Sequence, residues 1–462
     1  MLVRHHEGPS SDKGSCGSGG AGLDIRTWSR LHAAGLVSLT LSLALVVPFL
    51  VVAGWPAFQD FGGWMYEAFA ASWILTGHAA EGMSFATYPV PYALGQAVLT
   101  GLNLVMGPMS AGFVYVMLYL ALGAAAVDIL VRKYDVRPLA GGVFFTLTIV
   151  VGSGFWNGYI GSQLGLVLLM FVLGLPRAWI VSPVGVLVCS LLMFASHGIA
   201  YAVYCVVGLG LAWRAKRVLA YAMGILPSIG LAVWYSLASF KQAESGGVSR
   251  SGLLSHLFYK GYTATKLGAY GNLQVGTAGD GDAMPVLYWL GVAANFSLAL
   301  LLVLLVGSIV RNRKKIWTDQ PAELIITGSL ILVYLLLPLQ VGVLVNPGER
   351  VLSAATVFIG VLTMGRTNGD TRRLSALAAG ALVAGAGLTL VSALTMGIKQ
   401  GLQIDRPTIP GRDDSRIAIL YGHRTDADAE SATNATSGAA TGAGPQLPPR
   451  WGTSFLLPTG GQ

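Results

Sequence analysis

WPAFQDFGGWMYEAFAASWILTGHAAEGMSFATYPVPYALGQAVLTGLNLVMG, residues Trp55–Gly107, follows the first long apolar run and precedes the second. It contains no Lys or Arg. It does carry Asp60, Glu67, His78 and Glu81, in a chain where charged residues are only 11% of the total. The stretch then turns apolar again through Tyr88-Pro89-Val90-Pro91-Tyr92, where two prolines fix φ and bias their preceding residues toward extended forms. A loop that gathers acids and one His between two membrane-length runs is an expensive use of charge unless chemistry is done there.

The rest of the composition sets that loop beside a bilayer. A chain of 462 residues with 54% hydrophobic content and a mean hydropathy of +0.64 lies outside the range of soluble globular proteins. Apolar runs near the length needed to cross about 30 Å of hydrocarbon recur along it. The expected class is an all-α, polytopic integral membrane protein. Its +8 formal charge is then a topology signal rather than a nucleic-acid one. The three cysteines, Cys16, Cys189 and Cys205, have neither disulfide nor metal spacing and read as packing residues and one free thiol.

Spans are expected at about 33–54, 110–131, 139–153, 161–175, 178–194, 198–213, 218–237, 285–307, 322–343, 350–364 and 374–396. A shorter apolar piece lies at 90–106. If that piece does not cross and the N-terminus is cytoplasmic, eighteen of the 29 basic residues fall in cytoplasmic loops. They include Arg132-Lys133, Arg177, Arg214, Lys216-Arg217 and Arg313-Lys314-Lys315, and the short outer loops keep one, Arg350. If 90–106 crossed, those clusters would face outward. About 11 transmembrane helices are therefore expected, with 90–106 re-entrant or lying along the surface, which is tolerable only against a protein-enclosed cavity. Residues 1–32 read as a cytoplasmic disordered leader with no cleavable signal, 33–398 as the membrane domain, and 399–462 as a polar, largely disordered outer tail.

That topology collects the chemically interesting residues on the outer face. Asp60 and Glu67 share one face if the segment is helical, and a partly desolvated carboxylate there suits a general base. Together with His78 and Glu81 they also suit a divalent metal, although no cofactor is implied with certainty. The competing reading is an interfacial loop whose Trp55, Trp64, Tyr66 and Trp73 form an aromatic belt. Arg350, in Asn346-Pro347-Gly348-Glu349-Arg350, reads as a phosphate or carboxylate ligand, as a partner of an acid, or as a snorkelling cation. The long loop 238–284 carries Lys260, Tyr262, Lys266, His256 and Tyr259, suited to a sugar-phosphate pocket or to a plain surface loop. Its Asp280-Gly281-Asp282 lacks the other ligands of a calcium loop. Phe155-Trp156-Asn157-Gly158-Tyr159 and His197 cap spans on the same side; His197 is either a site residue or a histidine bonded between helices. There is no Walker motif, no glycine-rich dinucleotide loop and no His/Cys metal box, so ATP-driven pumping and redox chemistry have no support.

The chain resembles the GT-C class of polytopic glycosyltransferases, which use polyprenyl-phosphate-linked sugars. The resemblance rests on an acid soon after the first span (Asp60) and a Tyr-Pro-x-Pro segment leading into a short helix that ends near Gly107-Pro108. A Phe-Trp-Asn-Gly-Tyr loop, a large loop before the late spans and the Pro-x-x-Arg turn at Arg350 complete it. It implies that Asp60 is the base, with Glu67 and His78 beside it, and that Arg350 binds the lipid phosphate. Tyr88, Glu81, His197, Asn157, Lys260 and Tyr262 would line the substrate. It also implies a bacterial inner-membrane protein whose partners are a polyprenyl-phosphate-linked sugar, membrane lipid, and an acceptor glycan, lipid or protein, with no nucleic acid. Two departures stand out: the family's paired first-loop acids are reduced to Asp60 with Glu67 further on, and the tail is not a folded domain. A flippase of lipid-linked saccharide and a non-catalytic scaffold remain open alternatives.

Overall fold

The computed structural model describes residues 32–53, 58, 61–77, 83–240, 253–268, 285–338, 340–341, 344–365, 376–388, 390–391 and 456–458. Of the expected site residues, Asp60, His78 and Glu81 lie outside these, as do Asp280–Asp282 and nearly all of the two termini.

The described chain is almost wholly helical, as its apolar runs require. In chain order the helices are α1 (Ala33–Ala53), α2 (Phe61–Leu75), α3 (Ala93–Val105), α4 (Pro108–Lys133), α5 (Pro138–Phe145), α6 (Ser153–Trp156), α7 (Ile160–Gly174) and α8 (Arg177–Ile180). There follow α9 (Pro183–Ser196), α10 (Gly198–Arg214), α11 (Val218–Phe240), α12 (Leu253–Thr265), α13 (Pro285–Arg311), α14 (Arg313–Asp319), α15 (Pro321–Leu336) and α16 (Pro347–Met364). A last apolar helix, α17, covers Ala376–Leu388. Strand structure is limited to two antiparallel pairs of two or three residues each, β1 (Met83–Phe85) with β4 (Leu456–Pro458) and β2 (Gln340–Val341) with β3 (Leu344–Val345).

Proline placement explains many of the starts. α4, α5, α9, α15 and α16 each have Pro at their first position, where no amide hydrogen is needed. α5 runs into a π-helical turn at Thr146–Val150 before α6, and the Tyr119 hydroxyl donates to the Val150 carbonyl at 2.7 Å where that ladder loosens.

Among the described residues five helices are long and apolar enough to cross a membrane, or six if α14 and α15, bent by 120° at their junction, form one broken span. This is an α-helical membrane protein. Most of the other expected crossings coincide with helices of 13 to 17 residues, which at 1.5 Å per residue fall short of about 30 Å. Helix lengths alone therefore do not carry the count of 11. Two segments expected as loops are in fact helical: α2 inside the acidic stretch and α12 inside 238–284.

At the centre stands α16, where every residue but Arg350 and Ser353 is buried. It packs on α15, α10, α13, α5, α12 and α7. A helix buried all round must be apolar or have its polar groups satisfied, and from Val351 onward the hydroxyls of Ser353, Thr356 and Thr363 each donate to the carbonyl four residues back. Its two ends meet different chemistry. At the C-terminal end the Arg137 amide donates to Met364 O at 3.2 Å, and Val136 pairs with Gly365. On that side the acids are neutralised by arginines. Asp128, on α4, lies 2.8 Å from both His32 and Arg132. Glu323, fully buried on α15, takes Arg177 on one oxygen and Arg214, at 3.6 Å, on the other. These basic residues are ones the loop count had assigned to a single side.

Glycine permits the tightest helix contact of interest. A Cβ on Gly224 of α11 would fall 2.5 Å from the Pro183 carbonyl oxygen and 2.7 Å from Val186 Cβ. Backbone cannot yield as a flexible side chain does, so Gly224→Ala is expected to cost about 1–3 kcal/mol. Gly230→Ala on the same helix meets nothing within 4 Å and serves as the control. Thermal unfolding in detergent should separate the two; equal melting temperatures would contradict the contact.

Candidate functional site

The other end of α16 is built to hold charge. Asn346 caps it in the left-handed region (φ 56°) and Pro347, which has no amide hydrogen to satisfy, begins it, while the Glu349 amide donates to the Asn346 carbonyl at 3.2 Å. Glu349 and Arg350 sit in that turn. The Glu349 carboxylate is buried, and the Ser153 hydroxyl of α6 donates to it at 3.3 Å. Burial pushes its carboxyl up, with Lys266, Arg350 and the Ser153 bond opposing. By linkage, the stability gained from protonated Glu349 is complete below the ordinary carboxylate range and is lost as pH rises through the raised value.

α12 and the turn after it bring two more cations, Lys260 and Lys266. Its exposed face is apolar, with Leu254, Leu257, Phe258 and Tyr262 open to the surroundings, while Lys260 faces inward and is 4% exposed. The Lys260 Nζ sits so close to the α16 backbone that a Cβ on Gly348 would lie 2.6 Å from it. A side chain at 348 would make the ammonium shift from this position. Tyr334 of α15 anchors this helix, bonding both the Lys260 carbonyl and, at 2.9 Å, the Thr263 hydroxyl. Burial, with Glu349 next in weight, pushes the Tyr259 hydroxyl up to about 12.

Each of the three cations rests on a tyrosine ring rather than on a carboxylate. Lys260 Nζ is 4.8 Å from the Tyr334 centroid, Lys266 Nζ 4.3 Å from that of Tyr262, and Arg350 Cζ 4.9 Å from that of Tyr159. No ion pair joins any of them to an acid among the described residues, and one buried Arg350 nitrogen, Nη1, has no hydrogen-bond partner there. Stacking fixes a guanidinium while leaving its in-plane donors free for a planar anion such as phosphate. Of the three readings of Arg350, pairing with an acid is thus not what the described residues display.

From Arg350 the cluster continues to the loop after the acidic stretch. His197 is 3% exposed and caps α10: its Nδ1 accepts from the Ile199 amide at 3.0 Å, so that nitrogen carries no proton. The Tyr92 ring meets the imidazole edge-to-face at 4.4 Å and the Trp64 ring at 6.4 Å. Tyr92 follows Pro91 with φ 107°, and its amide donates to Ala195 O at 3.2 Å. The Tyr-Pro-x-Pro segment is therefore clamped to the α9–α10 junction. Glu67, on α2, is bonded by the amide of Gln96 on α3. Tyr88 lies with its ring 6.2 Å from that of Tyr235. Asn157, 1% exposed, sits in the turn before Tyr159, with its Nδ2 lacking a partner among the described residues.

Lys260, Tyr262 and Arg350 thus form one network at the head of α16, with His197 and Tyr92 close enough to Arg350 to feel its charge. Glu67 and Tyr88 are held by their own partners, Gln96 and Tyr235, and Asn157 lies in the turn before Tyr159. The sequence had offered Tyr159 and Gly348 only as parts of their short motifs, and had not singled out Tyr334 or Ser153. Beside the network a narrow apolar cavity, about 10 Å³ of free space, is lined by Phe58, Phe61, Tyr115, Phe155 and Gln163 among others. It has room for about one water. No group of three or more His, Cys, Asp or Glu able to hold a metal occurs among the described residues. No family model, curated protein or solved structure matches the chain.

Proposed function

We propose that this chain is a polytopic glycosyltransferase that moves a sugar from a polyprenyl-phosphate carrier to an acceptor at the outer face of a bacterial inner membrane. In this reading the chain makes about 11 crossings from a cytoplasmic N-terminus, short helices included, and α3 is re-entrant. The supporting observation is the trio of cations at the head of α16, each stacked on a tyrosine and none ion-paired among the described residues. Their donors suit a phosphate whose lipid lies against the exposed apolar face of α12. Asp60 takes the proton of the acceptor hydroxyl as its oxygen attacks the anomeric carbon. The bond from that carbon to the phosphate oxygen breaks with inversion, and Arg350 stabilises the charge gathering on the leaving phosphate. The flippase alternative gains nothing from the buried acids, because Asp128 and Glu323 are neutralised together at the opposite end of α16 rather than spread along a path.

The test is binding of a polyprenyl-phosphate sugar to the full chain in nanodiscs. Arg350→Ala removes one or two charge-assisted hydrogen bonds, so affinity should fall roughly 10- to 100-fold. Unchanged affinity would remove the phosphate role.

A further inference from the structure

Among the described residues one acid sits with the three cations, and its presence needs a reason. Glu349 is 7% exposed, next in sequence to Arg350, and is bonded by the Ser153 hydroxyl. Lys266 and Arg350 both act on its carboxylate electrostatically. It forms no ion pair with either among the described residues, so it does not serve to lock a cation in place. Among the described residues it sets one carboxylate against three cations.

A phosphodiester carries one negative charge, and a phosphomonoester carries nearly two at neutral pH. If the proposed reaction holds, and this inference rests on it, the donor is a diester and the leaving lipid phosphate a monoester. A pocket with cations alone would hold its product more tightly than its substrate. We infer that Glu349 is a specificity-determining counter-charge, which weakens the hold on a lipid phosphomonoester relative to a phosphodiester and so hastens product release. The second charge of the monoester feels Glu349 across a partly buried site, where one unit-charge interaction is worth on the order of a tenfold change in affinity.

The experiment uses the full chain in nanodiscs at about pH 8, above the second phosphate ionisation near 6. The probes are a long-chain alkyl monophosphate and its methyl ester. In Glu349→Gln the ratio of monoester to diester affinity should rise about tenfold, and Glu349→Asp should restore it. Lys266→Met alters the same balance in the opposite sense, so it should lower the ratio even if the glutamine variant folds poorly. A ratio unmoved in these variants, with both probes still bound, overturns the counter-charge while leaving the phosphate site standing. If wild-type protein binds neither probe and Arg350→Ala behaves like wild type, the phosphate site fails and the counter-charge with it.

Discussion

Changing Asp60 to asparagine is expected to slow sugar transfer about a hundred- to ten-thousandfold, the usual loss when a general base is removed, while donor binding stays as it was. Asparagine keeps the shape and takes away the ability to accept a proton, so the loss should fall on the chemical step. The described neighbours of this residue are firmly held. The Phe58 ring lies 4.7 Å from that of Phe155 and 5.8 Å from that of Trp156, and Phe61 packs 5.8 Å from Tyr115. Phe155 and Trp156 in turn lead into the turn that presents Tyr159 under Arg350. Glu67 supplies the comparison, because its carboxylate is already taken by the Gln96 amide. Glu67→Gln should therefore cost far less than Asp60→Asn. Transfer of a radiolabelled sugar, measured alongside donor binding, decides the matter. Full turnover in Asp60→Asn ends the assignment, and equal losses in the two variants would deny Asp60 its special place.

The second large effect concerns stability. Glu323 is fully buried, whereas the side chains of Arg177 and Arg214 are 41% and 31% exposed. Arg214 also donates to the Asp319 carbonyl at 3.1 Å. The two ways of breaking this cluster are not equivalent. Removing the acid leaves two partly exposed arginine side chains that can turn toward water, although Arg214 Nη1 itself is buried, and Glu323→Ala should cost about 1–2 kcal/mol after that relief. Removing both cations strands a buried carboxylate. The pair Arg177→Met with Arg214→Met should cost about 3–5 kcal/mol, the range for a buried charge left without its partner. Thermal unfolding of the three proteins in detergent gives the order, and the reverse order would mean that the arginines, not the acid, bear the burial cost.

Much of the helical framework could be read from the chain. The apolar runs at 33–54, 110–131 and 218–237 are α1, α4 and α11 within a few residues, because long uninterrupted apolarity has one meaning beside a bilayer. α2 was harder: Gly62-Gly63 at its start and Glu67 in its middle look like loop chemistry, and burial against α3 and α4 overrides them. α12 was hidden for a related reason. Its apolar residues point outward and its lysine inward, the inverse of an ordinary surface helix. Arg350 was singled out from its isolation among the short outer loops, but its resting place on Tyr159 has no signature, since a cation–ring contact imposes no sequence spacing. Likewise, Arg177 and Glu323 are 146 residues apart, and only the tertiary fold, which brings the two side chains into contact, makes them a pair.

The backbone at Tyr92 has a consequence of its own. A non-glycine residue held at positive φ carries about 1–3 kcal/mol of conformational strain, which glycine at the same position would largely avoid. The strain is tolerable only if the phenol ring offsets it through its contacts with His197 and Trp64. The join between the acidic segment and the α9–α10 junction is therefore a loaded one: the same ring that closes it keeps the chain in a conformation it would otherwise leave.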